Sequence, residues 1–281
     1  MNLKNSDLHF HTLVSDGSAN SLEMLTAASE AGLKRISITD HDAVGAYRYF
    51  HPNLFGLAQS MGMELIPGIE LDTEYLDHEV HLLGYQIDIG NATLNTHLRK
   101  TQNDRRQRIN KQILAINTHF GEAIISKEEI LMPERDSVMK PHLIHDLLKT
   151  GRLGNDYRTV QQWLSDTIKV SVKVFKPTIK DAISLIHGAG GQAVLAHPGF
   201  LSVEHGLSLE HILRELKEFG LDGVELEYPY AGSSSFFPDS QTEAAVISEI
   251  RDLADRFSLF TTRGSDAHEP RQLAEFASHS F

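Results

Sequence analysis

Apolar and polar positions alternate with a period of two at the start of the chain, with Leu8 and Phe10 on one side and Asp7, His9 and His11 on the other. The spacing predicts a strand, then a turn at Ser15-Asp16-Gly17 and an amphipathic helix over Leu22 to Ala31. The same unit recurs. Leu33 to Thr39 reads as a buried strand ending in Asp40-His41-Asp42, before a helical stretch from Gly45 to Met61. Met63 to Ile69 is a third strand ending in Glu70. Glu79 to Tyr85 is a fourth, carrying His81 between apolar neighbours, and about eight polar residues separate the two, so a hairpin is expected.

From Asn91 to Lys176 strand signals fade, and helical ones run through Leu94 to Phe120, Lys127 to Met132, Pro141 to Gly151 and Tyr157 to Leu164. So long a stretch is not a structureless loop of a compact domain. It predicts an inserted helical cap with a small core of its own around Ile113, Leu114, Leu143, Leu147, Leu148 and Trp163. Alternation then resumes with helix Ile179 to Ala189 and strand Gln192 to Ala196, which ends in His197-Pro198. Helix Leu209 to Phe219 stops at Gly220 as a left-handed cap would. Strand Asp222 to Tyr228, helix Thr242 to Arg256 and strand Ser258 to Thr262 follow, the last running into Gly264-Ser265-Asp266-Ala267-His268.

Seven strand candidates separated mostly by helices predict a barrel-like α/β fold, whose functional groups gather at the carboxyl ends of the strands. The expected organisation is a barrel from residues 1–90 and 177–281, interrupted by a helical cap over 91–176.

With 281 residues, 41% of them apolar, the chain can bury one large core and a decorating insertion. It has no cysteine, which removes disulfides, thiolate metal sites and cysteine nucleophiles and suits a reducing compartment. Any metal must be held by nitrogen and oxygen. The opening Met1 to Ser6 has no apolar h-region, and no uninterrupted apolar run is long enough to span a bilayer, so a soluble cytoplasmic protein without membrane contact is expected. A formal charge of −12 argues against a broad basic face for long duplex nucleic acid, while leaving local basic patches free to receive phosphates.

The polar groups after the strands are His9, His11, Asp16, His41, Glu70, His81, His197, Asp266 and His268. With 16 histidines, one His-x-His pair arises by chance. Collection of nine such groups near strand ends does not. Six imidazoles and three carboxylates exceed the needs of one ion, so two or three ions sharing a carboxylate are expected. The mixed donors suit manganese, iron or zinc better than calcium. The apolar setting of His81 makes it the member most open to a purely structural role. Asp40 or Asp42 could orient a ligand histidine, and Asp42 could equally cap the helix after it.

The runs D-L-H-F-H-T-L-V-S-D-G, T-D-H-D, P-G-I-E, V-H-L-L-G-Y, A-H-P and G-S-D-A-H, in that order, resemble the PHP (polymerase and histidinol phosphatase) superfamily over nearly the whole chain. The resemblance implies a distorted seven-stranded, TIM-like (β/α)7 barrel with a trinuclear metal centre. It further implies one ion at His9, His11, Glu70 and Asp266, a second at Asp16, His41 and His268, and a third at Glu70, His81 and His197, with Glu70 as the bridge. Manganese is the expected metal, with zinc, iron or magnesium as alternatives.

Within the superfamily, the insertion and the Gly-Gly-x-Ala-Val-Leu-Ala-His-Pro run look like the branch of nucleoside 3′,5′-bisphosphate phosphatases and 5′-to-3′ exoribonucleases acting on short RNA. Met139-Lys140-Pro141-His142 stands where that branch carries Gly-Arg-Pro-His; lysine keeps the charge but loses the bidentate fork. The activity implied is metal-dependent hydrolysis of a phosphomonoester or terminal phosphodiester of a small nucleotide or short single-stranded oligonucleotide. Asp16, His41, Glu70 and His268 are the expected catalytic residues. Lys140, His142, Arg105, Arg108 and Arg263 are the expected substrate contacts, Arg105 and Arg108 sharing a face of the basic segment Arg99 to Lys111. A phosphatase of another small ester, such as histidinol phosphate, and a metal-stabilised binding module without turnover are the competing readings.

Overall fold

In a computed structural model that describes residues 3–279, so that Met1 and Asn2 of the opening segment lie outside it, seven strands form one sheet in chain order. They are β1 (Ser6–Phe10), β2 (Arg35–Ile38), β3 (Glu64–Tyr75), β4 (His78–Tyr85), β5 (Gln192–Leu195), β6 (Gly223–Glu227) and β7 (Phe260–Arg263). Neighbours are parallel except β4, which runs antiparallel to both β3 and β5. Backbone bonds from Asp266 N–H to His9 O (2.7 Å) and from His11 N–H to Ala267 O (2.8 Å) draw the segment after β7 against β1. The result is a nearly closed barrel.

Helices cover the outside: α1 (Ser21–Glu30), α2 (Leu54–Ser60), then α3 (Ala92–Phe120), α4 (Lys127–Ile130), α5 (Lys140–Thr150) and α6 (Tyr157–Thr167) of the insertion. After them come α7 (Ile179–Gly188), α8 (Gly199–Val203), α9 (Leu209–Glu218), α10 (Ser240–Phe257) and α11 (Pro270–Ser278). Asn20 starts α1 with a capping box, its side chain accepting from Leu22 and Glu23 N–H while Glu23 reaches back to the Asn20 N–H. Met24, Leu25 and Ala28 then face the sheet and are fully buried.

The structure departs from the sequence pattern in several places, the short α8 (Gly199–Val203) among them. The stretch from Gly45 to Met61 is a short 3-10 turn at Gly45–Tyr47 and a separate α2, because Pro52 interrupts the run and Asn53 restarts it by accepting from Gly56 N–H. Strand β3 does not end at Glu70; it continues five residues to Tyr75 and pairs Tyr75 with His78 across a two-residue turn whose Leu76 and Asp77 both have positive φ. Its polar run Asp72-Thr73-Glu74 reads as loop in sequence, yet Asp72 and Thr73 are buried by partners from the insertion and the hairpin. Helix α11 is also unforeseen: a Pro at its start and the buried Leu273 and Phe276 fix it against the barrel.

The reversal of β4 matters for function. His81 stands near its amino end, yet lies directly opposite Asp72 of β3 and so at the same barrel mouth as the carboxyl ends of the parallel strands.

The insertion has its own apolar cluster, in which Ile109, Ile113 and Ile116 of α3 meet Leu143, Ile144 and Leu147 of α5 and Val160 and Leu164 of α6. Leu148 and Trp163 pack at its edge, whereas Leu114 is 69% exposed, since it is turned about 100° from Ile113 around the helix axis. Helix α3 belongs to both bodies: Leu94 and Leu98 at its amino end join the barrel core. No helix among the described residues is long and apolar enough to cross a membrane.

Candidate metal centre

Glu70, buried in the middle of β3, is surrounded by five imidazoles. Its Oε2 lies 3.1 Å from His9 Nε2, 3.2 Å from His11 Nε2 and 3.4 Å from His41 Nδ1; its Oε1 lies 3.0 Å from His81 Nδ1 and 3.4 Å from His197 Nε2. The strand period puts His9 and His11 on one face of β1 and its extension. Asp266 enters from the loop after β7, 2.9 Å from His11 Nε2 and 3.5 Å from His9 Nε2. Asp16, brought back by the turn after β1, lies 3.4 Å from His268 Nε2 and 3.8 Å from His11 Nδ1.

All nine side chains singled out in the sequence therefore meet at one mouth. They fall into three overlapping donor groups, His9, His11, Glu70 and Asp266; His11, Asp16, His41 and His268; and Glu70, His81 and His197, while Asp72 joins His41 and His81 in a fourth, each with ligand atoms within 4.8 Å of one another. His11 touches two groups and Glu70 two. His81, despite its apolar sequence neighbours, points inward.

Backbone strain accompanies the arrangement. Asp42, His197 and Asp266 hold left-handed conformations with φ of 47°, 27° and 53°. Such a conformation costs an L residue roughly 1–2 kcal/mol. Gly264 is required for a different reason: a Cβ there would sit 2.3 Å from His9 Cβ and 2.4 Å from Glu225 Oε1.

Two carboxylates that the sequence reading passed over orient these rings. His9 Nδ1–H donates to Glu225 Oε1 (3.0 Å), leaving Nε2 toward Glu70, and Glu225 Oε2 also accepts from the His197 N–H (2.8 Å). His41 Nδ1–H donates to Asp72 Oδ1 (2.8 Å). The alternation in β6 could have put Glu225 inside the barrel on sequence grounds; Asp72 gave no signal, because its polar run resembles a loop. Asp40 and Asp42, which the sequence offered as orienters, do other things. Asp40 accepts from Thr12 N–H, Thr12 Oγ1 and Ser15 Oγ, each at 2.7 Å, and so fixes the turn that carries Asp16. Asp42 accepts from Arg105 and caps no helix.

The expected substrate contacts divide. Arg105 is buried, and its guanidinium reaches Asp42 Oδ2 and Asp72 Oδ2, both at 2.6 Å, so it clamps α3 to the barrel while lining the same cavity as Arg108 and Lys140. Arg263, at the carboxyl end of β7, is also buried: it donates to Phe276 O (2.9 Å) of α11, stacks on the Phe276 ring and lies 3.3 Å from Glu227. Arg108 and Lys140 line a cavity of about 340 Å³ whose floor includes Asp72 and Glu79. His142 lines a second cavity of about 170 Å³ on the opposite side of the cluster, beside Asp16 and His268. Its Nδ1 lies 2.9 Å from the Met139 nitrogen and 3.1 Å from the Met139 oxygen, and its ring also meets the Ser15 backbone.

Electrostatics around the mouth are governed by buried acids. Asp40, Asp42, Glu70, Asp72 and Glu225 are buried there against one buried arginine, Arg105. Burial alone would lower the His9 pKa, but Glu70, Glu225 and Asp266 outweigh it and hold the ring well above its ordinary value. His11 is raised to about 10 against its own burial by Asp266 and Glu70. Burial opposes ionisation of Glu70, yet the charges of His41, His9 and His81 hold its carboxyl well below the usual range. Burial pushes His142 down to about 4, with Arg135 adding to the effect.

Divalent cations fit this donor set. The carboxylates call for positive charge that one arginine does not supply, and Asp16 Oδ1 and His11 Nδ1 are buried without a hydrogen-bond partner, as atoms reserved for an ion would be. Imidazole and carboxylate together suit a first-row transition ion.

Comparison with known proteins agrees with this chemistry. Residues 7–174 match the family model described as PHP domain. The chain is 29% identical over 94% of its length to the 5′-3′ exoribonuclease Rnm of Escherichia coli, covering 85% of that protein. It is 26% identical over 99% of its length to the 3′,5′-nucleoside bisphosphate phosphatase of Chromobacterium violaceum, covering 92% of it. A solved structure of a Chromobacterium violaceum amidohydrolase, with bound sulfate and no metal, superposes with a TM-score of 0.75 at 25% identity over 98% of this chain and 90% of its own.

Proposed function

Because the chain belongs to the PHP domain family, we propose that it is a metal-dependent phosphoesterase that hydrolyses the phosphate ester of a small nucleotide, such as a nucleoside 3′,5′-bisphosphate, or removes nucleotides from the 5′ end of a short single strand. The observation that carries the reading is Glu70, one carboxylate ringed by five imidazoles beside a cavity with basic walls.

In this reading His9, His11, Glu70 and Asp266 hold one ion, Asp16, His41 and His268 a second, and Glu70, His81 and His197 a third. Manganese is the ion we favour, because mixed nitrogen and oxygen donors suit it. Bound ions there would supply Lewis-acid charge for a phosphoryl group and activate water near neutral pH.

The chain's own residues do the rest. Glu225 and Asp72 fix the ring tautomers of His9 and His41, so the nitrogens facing the centre are lone pairs. Arg108 and Lys140 attract and orient the anionic substrate in the larger cavity. His142, neutral at pH 7, lines the smaller cavity and does not serve as a charged acid. No side-chain nucleophile is needed, and the inserted helical body acts as the substrate cap. The cytoplasm, reducing and rich in nucleotides, suits a cysteine-free enzyme of this kind. Long duplexes fall outside the reading, given the net charge of −12.

Manganese-loaded protein should release inorganic phosphate from adenosine 3′,5′-bisphosphate and mononucleotides from a 5′-phosphorylated RNA of a few residues, with little from histidinol phosphate. Turnover of histidinol phosphate alone would assign it to a different substrate class. Release from none of the three would make it a binding module.

A further inference from the structure

The cavity lined by Arg108 and Lys140, which borders the metal centre through Asp72 and Glu79, does not end at its own walls. Arg108, Gln112 and Lys140 also line a second cavity of about 570 Å³, farther along the insertion, between α3, α6 and the segment after α6. The first cavity's lining includes Glu79, whose Oε1 is 3.3 Å from His81 Nε2, so the first cavity borders the metal centre and the second adjoins the first.

The chemistry of the second cavity is unusual for this chain. Its cations are Arg108, Lys140 and Lys169, and no carboxylate lines it, in a protein whose formal charge is −12. Arg108 is exposed and makes no ion pair with any described residue; Lys140 has only Ser165 Oγ at 3.4 Å, and Lys169 only the Ser165 carbonyl. Ser165 and Ser171 add hydroxyl groups to the wall. In the first cavity Tyr157 is 37% exposed and offers a ring against which a base can stack. Cations spaced along a groove with an aromatic face are what a single-stranded nucleic acid requires, the charge following the backbone and the ring accepting any base.

We propose that the second cavity is a downstream subsite for the backbone of a single-stranded oligonucleotide, making the preferred substrate a strand of several nucleotides and not a lone bisphosphate. This rests on the phosphoesterase reading above and adds to it the direction in which the strand leaves the metal centre. The nucleotide next to the reacting phosphate occupies the first cavity, and the following phosphates meet Arg108, Lys140 and then Lys169.

The test is binding of 3′-fluorescein-labelled, 5′-phosphorylated strands with cleavage-resistant phosphorothioate links to the metal-loaded protein, read by fluorescence anisotropy at two salt concentrations. A tetranucleotide should bind about tenfold more tightly than a mononucleotide and show the steeper salt dependence, because it releases more counterions. Lys169→Glu should remove most of that advantage while leaving mononucleotide binding unchanged, and Lys169→Arg should restore it. Equal affinity for both lengths, or equal weakening of both by Lys169→Glu, would overturn the subsite. So would an acidic peptide of matching charge binding as well as the tetranucleotide. The two readings fail separately: length-dependent binding without hydrolysis of any ester would overturn the enzyme assignment alone, and hydrolysis without length dependence would overturn the subsite alone.

Discussion

Glu225 is fully buried, and it holds two members of the centre at once, the His9 ring through Nδ1 and the His197 backbone through its N–H. Replacing it with glutamine keeps the shape and removes the charge that fixes the His9 tautomer. Partners of this kind are worth about 10–100-fold in metal affinity. Glu225→Gln should therefore weaken manganese binding by that order, measured by competition with a fluorescent chelator, while the far-UV spectrum stays unchanged; wild-type affinity would show that the ring is held by packing alone. His142 gives a residue-scale prediction of opposite character. Its folded pKa is depressed to about 4, so its contribution to stability is complete above the unfolded value near 6.5 and is lost as pH falls toward 4. The unfolded chain takes the proton first. In metal-free protein, His142→Gln should be relatively more stable at pH 4 than at pH 7 by up to roughly 3 kcal/mol, read as the difference in urea unfolding free energy between variant and wild type. A pH-independent difference would mean that Nε2 is solvated.

At the scale of elements, the long helix α3 and the overhang of β3 make one joint. Arg105 sits where α3 passes the barrel mouth, and its fork binds Asp42 from the loop after β2 and Asp72 from the overhang, while Gln102 donates to Asp42 O at 2.8 Å. Removing one partner from a buried ion pair leaves uncompensated charge and costs about 3–5 kcal/mol. Arg105→Met should cost that much in chemical denaturation and should also lower metal affinity, since a freed Asp72 no longer holds His41 in place. An unchanged metal affinity alongside lost stability would confine the clamp to folding. This joint is also where sequence reading ran out. The helix period of α3 and the strand-end histidines could be read from spacing, because each depends on residues a few positions apart. Arg105 and Arg108 stand about 60° apart around the axis, so spacing alone gave them a shared face. What separates them is the barrel wall, whose Asp42 and Asp72 pair with Arg105 and leave Arg108 exposed. The direction of β4, and with it the burial of Asp72, depends on pairing between strands that local alternation does not specify.

For the whole molecule, the donor groups come from both ends of the chain. His9 lies in β1 and His11 just after it, Asp266 and His268 follow β7, and between those strands the barrel is joined by few backbone bonds, among them Asp266 N–H to His9 O and His11 N–H to Ala267 O. Ions held by His9, His11 and Asp266 would span that seam and act as its cross-links. The insertion has a separate apolar cluster of its own. Metal should therefore stabilise the protein unevenly. At a hundredfold excess over its Kd a single site adds about 2.7 kcal/mol, enough to raise Tm by several degrees, and the rise should continue with metal concentration. Chelation should reverse it. Hydrogen exchange after chelation should then quicken first in β1 and in the residues 260–268, before the amides of α5 and α6, because the seam loses its bridges while the cap keeps its core. Protection lost first in the cap, or a Tm indifferent to metal and chelator, would mean that the barrel closes without help from the ions.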